Sequence, residues 1–90
     1  MERYEPMLAY LRIEFDRGEY DECLSLALEL RTLATEAGDT IKMIESGRIC
    51  GQMYNYQEMY NESMNILLET LALLEKCESV DYENVLNNLG

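Results

Sequence analysis

Arg48, Gln52, Asn55 and Tyr56 stand at i, i+4, i+7 and i+8, and so do Leu8, Arg12, Phe15 and Asp16. This spacing collects side chains on one face of a helix. Guanidinium forks grip carboxylates, and side-chain amides pair with the backbone of an extended peptide. A surface of this kind binds a protein or peptide without covalent chemistry. The same residues equally suit the solvated faces of amphipathic helices, with Arg12 and Arg48 pairing to acids among the 18 Asp and Glu of the chain.

Other chemistry is poorly provided for. Histidine is absent, which removes the commonest general base, nucleophile partner and metal ligand. Cys23, Cys50 and Cys77 form no C-x-x-C pair and sit among apolar residues, so they read as small buried hydrophobes, neither disulfide framework nor zinc site. Asp16, Glu19, Asp21 and Glu22 lack the alternating oxygen ligands and central glycine of a calcium loop, and read as a solvated helix start. No phosphate-cradling loop, nucleophile elbow or metalloprotease motif occurs. No enzyme activity, cofactor or metal is therefore expected. The balance of 7 basic against 18 acidic residues, a net charge of −11, repels nucleic acid and anionic lipid.

Elements of one class must position these residues. In 90 residues there is room for a single domain, and 48% hydrophobic residues suffice for its core. No apolar run approaches a membrane span and the N-terminus has no secretory pattern, so a soluble, cytoplasmic chain is expected. Apolar positions recur at helical spacing over about 6–17, with Pro6 in the first turn. They recur again from 19–21 to 37, where Gly38 supplies a left-handed cap. Asp39 caps a third helix running to 56 or 57, a fourth covers about 59–77, and Ser79 or Asp81 caps a fifth carrying Tyr82, Val85, Leu86 and Leu89. Gly47 and Gly51, one turn apart inside the third helix, indicate a neighbouring helix at close approach. No strand alternation appears; the fold class is all-α, with antiparallel helical hairpins.

The hairpins repeat. Gly18-Glu19-Tyr20-Asp21-Glu22-Cys23-Leu24 recurs forty residues on as Glu58-Met59-Tyr60-Asn61-Glu62-Ser63-Met64, and a third copy begins at Asp81, its Asn88-Leu89-Gly90 aligning Gly90 with Gly51. Together with Cys50-Gly51-x-x-Tyr54, Leu67 and Ala27, these residues resemble tetratricopeptide repeats, in the long-helix variety of about 40 residues found in bacterial signalling proteins. Glu14 departs from the motif where an aromatic residue is usual, with Phe15 one place late, and Cys23 and Ser63 replace alanine. The resemblance implies a right-handed solenoid of two hairpins plus a terminal helix, with repeat one at about 6–37, repeat two at 39–78 and a third from 81 to 90. It also implies a concave face made by the first helix of each hairpin, to which Asn84 and Asn87 would add, and packing roles for Tyr54 and Tyr60 that leave Tyr56 in the groove. The expected function is protein or peptide binding, as the sensory or scaffolding part of a larger bacterial signalling protein carrying a cyclic-dinucleotide synthase (GGDEF), histidine-kinase or DNA-binding output. On this expectation the chain is a fragment whose apolar ends pair two copies. The alternatives are a homodimerisation or spacer module, and a small acidic adaptor for a basic partner.

Overall fold

The structure is a computed structural model and describes residues 2–77, all of whose regular structure is helical. Four helices follow one another: α1 (Tyr4–Asp16), α2 (Tyr20–Ala37), α3 (Thr40–Tyr56) and α4 (Tyr60–Cys77). Each packs against the helix before and after it in sequence. The fifth helix expected after residue 78, with Asn84 and Asn87, lies outside the described residues. No helix among the described residues is long and apolar enough to cross a membrane.

Helix boundaries follow local chemistry. α1 begins at Tyr4, two residues before the expected start, which places Pro6 at the third helical position. The ring is still tolerated there, because the first-turn N–H groups have no carbonyl partner within the helix. Asp39 caps α3 as expected, accepting a 3.1 Å hydrogen bond from the Lys42 backbone N–H. The three turns close identically at intervals of twenty residues. Gly18 and Glu19 donate to the Phe15 and Glu14 carbonyls, Gly38 and Asp39 to those of Thr35 and Ala34, and Glu58 and Met59 to those of Asn55 and Tyr54. Residues 18, 38 and 58 all adopt positive φ, at 79°, 68° and 62°, although the last of them is a glutamate. A left-handed residue lets the backbone N–H groups turn back onto the last helical carbonyls, which explains the two glycines.

The core runs along the seam of successive helices. Tyr4, Leu8 and Leu11 of α1, Cys23, Ala27, Leu30 and Ala34 of α2, Cys50 and Met53 of α3, and Ile66 of α4 are buried in one cluster. The alanines and cysteines at these contacts keep neighbouring backbones close. Gly47 and Gly51 act as expected: a Cβ at Gly51 would lie 2.5 Å from Leu67 Cδ2, and one at Gly47 would collide with the Thr70 hydroxyl. Burial pushes the Cys50 thiol up to about 12, and it also raises Cys23, with Glu14, Glu22 and Glu19 adding to the effect. Both thiols are therefore protonated and inert near neutral pH.

Candidate binding groove

α1 and α3 do not adjoin in sequence, yet side chains tie them together at both ends and leave a groove between. At the first end the buried Tyr4 hydroxyl donates to Glu45 Oε1 at 2.6 Å and lies 3.3 Å from the Lys42 carbonyl. Lys42 in turn stands 4.7 Å over the Tyr4 ring and donates to Glu5 Oε1 at 3.0 Å. Burial raises the Tyr4 phenol above its ordinary value, and the Glu45 carboxylate reinforces the shift. The Glu5 hydrogen bond does the same for Lys42. At the other end Phe15 meets Tyr56 edge-on with ring centroids 5.4 Å apart, and Tyr20 stacks on Tyr56 at 4.9 Å.

Between these ties lie three adjoining hollows. A cavity of about 410 Å³ has an apolar floor of Leu8, Leu11, Ile49 and Met53, with Arg12, Phe15, Asp16 and Gln52 around it. One of about 370 Å³ lies toward the start of α3, where Arg12 and Arg48 stand over Ile41, Ile44 and Ile49. The third, about 460 Å³, is lined by Gln52, Asn55, Tyr56 and Tyr60. Gln52 lines all three hollows and Arg12 two of them, so the three form one trough.

The structure thus assembles Arg12, Asp16, Arg48, Gln52, Asn55 and Tyr56 along a single trough, with Leu8 in its floor. The anticipated pairing of Arg12 and Arg48 with acids does not occur: among the described residues neither makes an ion pair or a side-chain hydrogen bond. Cations that do pair with acids include Arg17 with Glu14, Arg31 with Glu69, and Lys42 with Glu5. Glu14 is a buried carboxylate held by Arg17 at 3.3 Å, and Phe15 turns to the aromatic end of the trough.

One sequence expectation needs correction. Tyr60, read as a packing residue, is 61% exposed and lines the trough, because it lies on a different side of the first turn of α4 from Ser63, which packs on α3. Ile41 is exposed and overlooks the trough beside Arg48. Tyr10 of α1 is also exposed. The contribution of Tyr20 was missed, since a tyrosine opening the second helix of a hairpin reaches the first helix of the next only across a tertiary contact. The acids Asp16, Glu19, Asp21 and Glu22 are all exposed, as expected of a solvated helix start, and Asp21 accepts a hydrogen bond from Gln57. Among the described residues no cluster of side chains is arranged to hold a metal ion. Compared with known proteins, the chain matches no family model, no curated protein and no solved structure.

Proposed function

We propose that this chain is a helical-repeat module that binds a protein or peptide segment along the α1/α3 trough, and that it performs no catalysis. The observation carrying this reading is the placement of Arg12 and Arg48. In a chain of net charge −11, two arginines without acid partners overlook the same hollow, where the isoleucines are joined by Glu45, whose carboxylate is engaged by the Tyr4 hydroxyl. A guanidinium left unpaired amid so many carboxylates is kept available for an incoming anionic group. The ligand is an extended segment with an acidic residue next to an apolar one: its carboxylate meets Arg12 and Arg48, its apolar side chain enters the Leu8/Ile49/Met53 floor, and Gln52 and Asn55 pair with its backbone.

Support for a tetratricopeptide-like solenoid comes from the forty-residue recurrence of hydrogen bonds. Cys23 to Leu11 in the first hairpin is matched by Ser63 to Gly51 in the second. On that reading the module is cytoplasmic and serves as the sensory or scaffolding part of a larger bacterial signalling protein. Ligand binding would shift the relative populations of two curvatures of the stack and so reposition an output domain.

Selection of a peptide-display library on the full chain tests this. Enriched peptides should carry Asp or Glu beside a large apolar residue, and a combined Arg12→Gln and Arg48→Gln variant should lose their binding by at least about tenfold while melting normally. Enrichment without acidic residues, or undiminished binding by the variant, refutes the trough as the site.

A further inference from the structure

At the arginine end of the trough one carboxylate belongs to the chain itself. Glu45 lines the hollow that Arg12 and Arg48 share, and among the described residues it is the one acid that does so. It stands three residues before Arg48 on α3, and both side chains are exposed. An acid followed at i+3 by a base is an arrangement in which helix neighbours pair. These two do not pair, and neither does Glu45 pair with Arg12.

The reason lies on α1. Tyr4 is fully buried in the core cluster, so its ring is held by packing and its hydroxyl is a fixed donor directed at α3. A phenol donates one hydrogen, and of the two acceptors near it Glu45 Oε1 at 2.6 Å is much closer than the Lys42 carbonyl at 3.3 Å. A bond of that length to an ionised carboxylate is of the strong, charge-assisted kind, whereas an exposed ion pair between two long side chains contributes little. The hydroxyl therefore outcompetes the guanidinium for Glu45. Lys42, the other cation of α3, is engaged by Glu5 and by the face of the Tyr4 ring. Released by Tyr4, the Glu45 carboxylate would find in Arg48 the one cation of α3 that no residue already engages.

We infer that Tyr4 is a positioning residue for the trough: its hydroxyl holds Glu45 aside and so keeps the Arg48 guanidinium free for a ligand carboxylate, and Glu45, once released, is a competitor for that guanidinium built into the chain. The consequence for binding rests on the trough being the ligand site. The link from Tyr4 through Glu45 to Arg48 is a property of the free chain.

Labelling of the full chain with phenylglyoxal, a dicarbonyl that modifies arginines whose guanidinium is unpaired, reads this link without any peptide. The rate at Arg48 is followed by mass spectrometry relative to Arg17, an exposed arginine whose pairing with Glu14 at the far end of α1 the substitutions leave alone. Tyr4→Phe removes the hydroxyl and keeps the ring. It should slow labelling of Arg48 by about two- to threefold, the strength of an exposed pair at this spacing. Combining Tyr4→Phe with Glu45→Gln should return Arg48 to the wild-type rate or above, because the amide carries no charge. A merely structural role for Tyr4 predicts the opposite: loosened packing speeds labelling, and Glu45→Gln does not reverse it. A second measurement needs no variant, since in the wild-type chain nuclear Overhauser contacts should link the Glu45 side chain to the Tyr4 ring and not to the Arg48 guanidinium. Unchanged or faster labelling of Arg48 in Tyr4→Phe overturns the inference. So does slowing that survives Glu45→Gln, or contact between Glu45 and the Arg48 guanidinium in the wild type. None of these outcomes touches the trough itself, whose test is the peptide selection with the Arg12→Gln and Arg48→Gln variant.

Discussion

The Ser63 hydroxyl donates a 2.8 Å hydrogen bond to the Gly51 carbonyl, and forty residues earlier the Cys23 thiol stands 3.5 Å from the Leu11 carbonyl. In each hairpin, a small polar side chain on the second helix fastens to the backbone of the first at the same register. The hydroxyl is the stronger donor and the thiol a weak one. Ser63→Ala should therefore destabilise the chain by about 1 kcal/mol, the ordinary net worth of such a bond. Urea unfolding should show a lower midpoint with an unchanged slope, and an unshifted midpoint would mean that the contact is dispensable.

Gly47 opposes Thr70 at the contact between α3 and α4. An alanine there gains helix propensity of about 1 kcal/mol, yet its methyl must displace the Thr70 side chain, and overpacking costs about 1–3 kcal/mol. Gly47→Ala should be destabilising overall. Because the loss arises from one neighbour, adding Thr70→Ala should recover part of it, and a double-mutant cycle on thermal or urea melts should give a favourable coupling term.

Glu58 holds φ 62° at the turn where Gly18 and Gly38 occupy the matching places. A left-handed conformation costs a residue with a Cβ roughly 1–2 kcal/mol, of which glycine's greater freedom in the unfolded chain returns a part. Glu58→Gly should stabilise the fold by up to about 1 kcal/mol, and Gly18→Ala should do the reverse. Melting temperatures of the two variants, shifting in opposite directions, check the pair.

Alkaline pH should unfold the chain through its buried acids. Cys50 titrates at about 12 when folded against 9.0 for an unperturbed thiol, and Tyr4 is likewise raised from 10.0. Both groups stay protonated longer in the folded state. The stability they contribute is complete below about pH 9, and for Cys50 it is lost as pH climbs from there toward 12, at up to about 1.4 kcal/mol per pH unit for each group. With no histidine to titrate, melting temperature should show no histidine-driven change between pH 6 and 8. Cys50→Ala should make the decline above pH 9 shallower, as melting followed from pH 8 to 11 will show.

Periodicity and punctuation of the chain are local, and so the helices could be read from them. Gly38 and Asp39 mark the α2/α3 junction because a left-handed cap and a carboxylate N-cap act on atoms within five residues of themselves. The face shared by Arg48, Gln52, Asn55 and Tyr56 is equally local, since i, i+4 and i+7 neighbours meet on any helix. Even the close approach at Gly47 and Gly51 was legible, because glycine inside a helix is a cost that needs a reason. The position of a residue relative to other helices could not be read in this way. Whether Arg12 meets a carboxylate, whether Tyr60 packs inward or lines a trough, and whether Tyr20 reaches Tyr56 all depend on how α1, α2, α3 and α4 are stacked. Stacking is settled by contacts between residues some forty apart, such as Tyr4 with Glu45 and Arg31 with Glu69. Helical periodicity shows which side chains share a face; only the packed helices decide what that face meets.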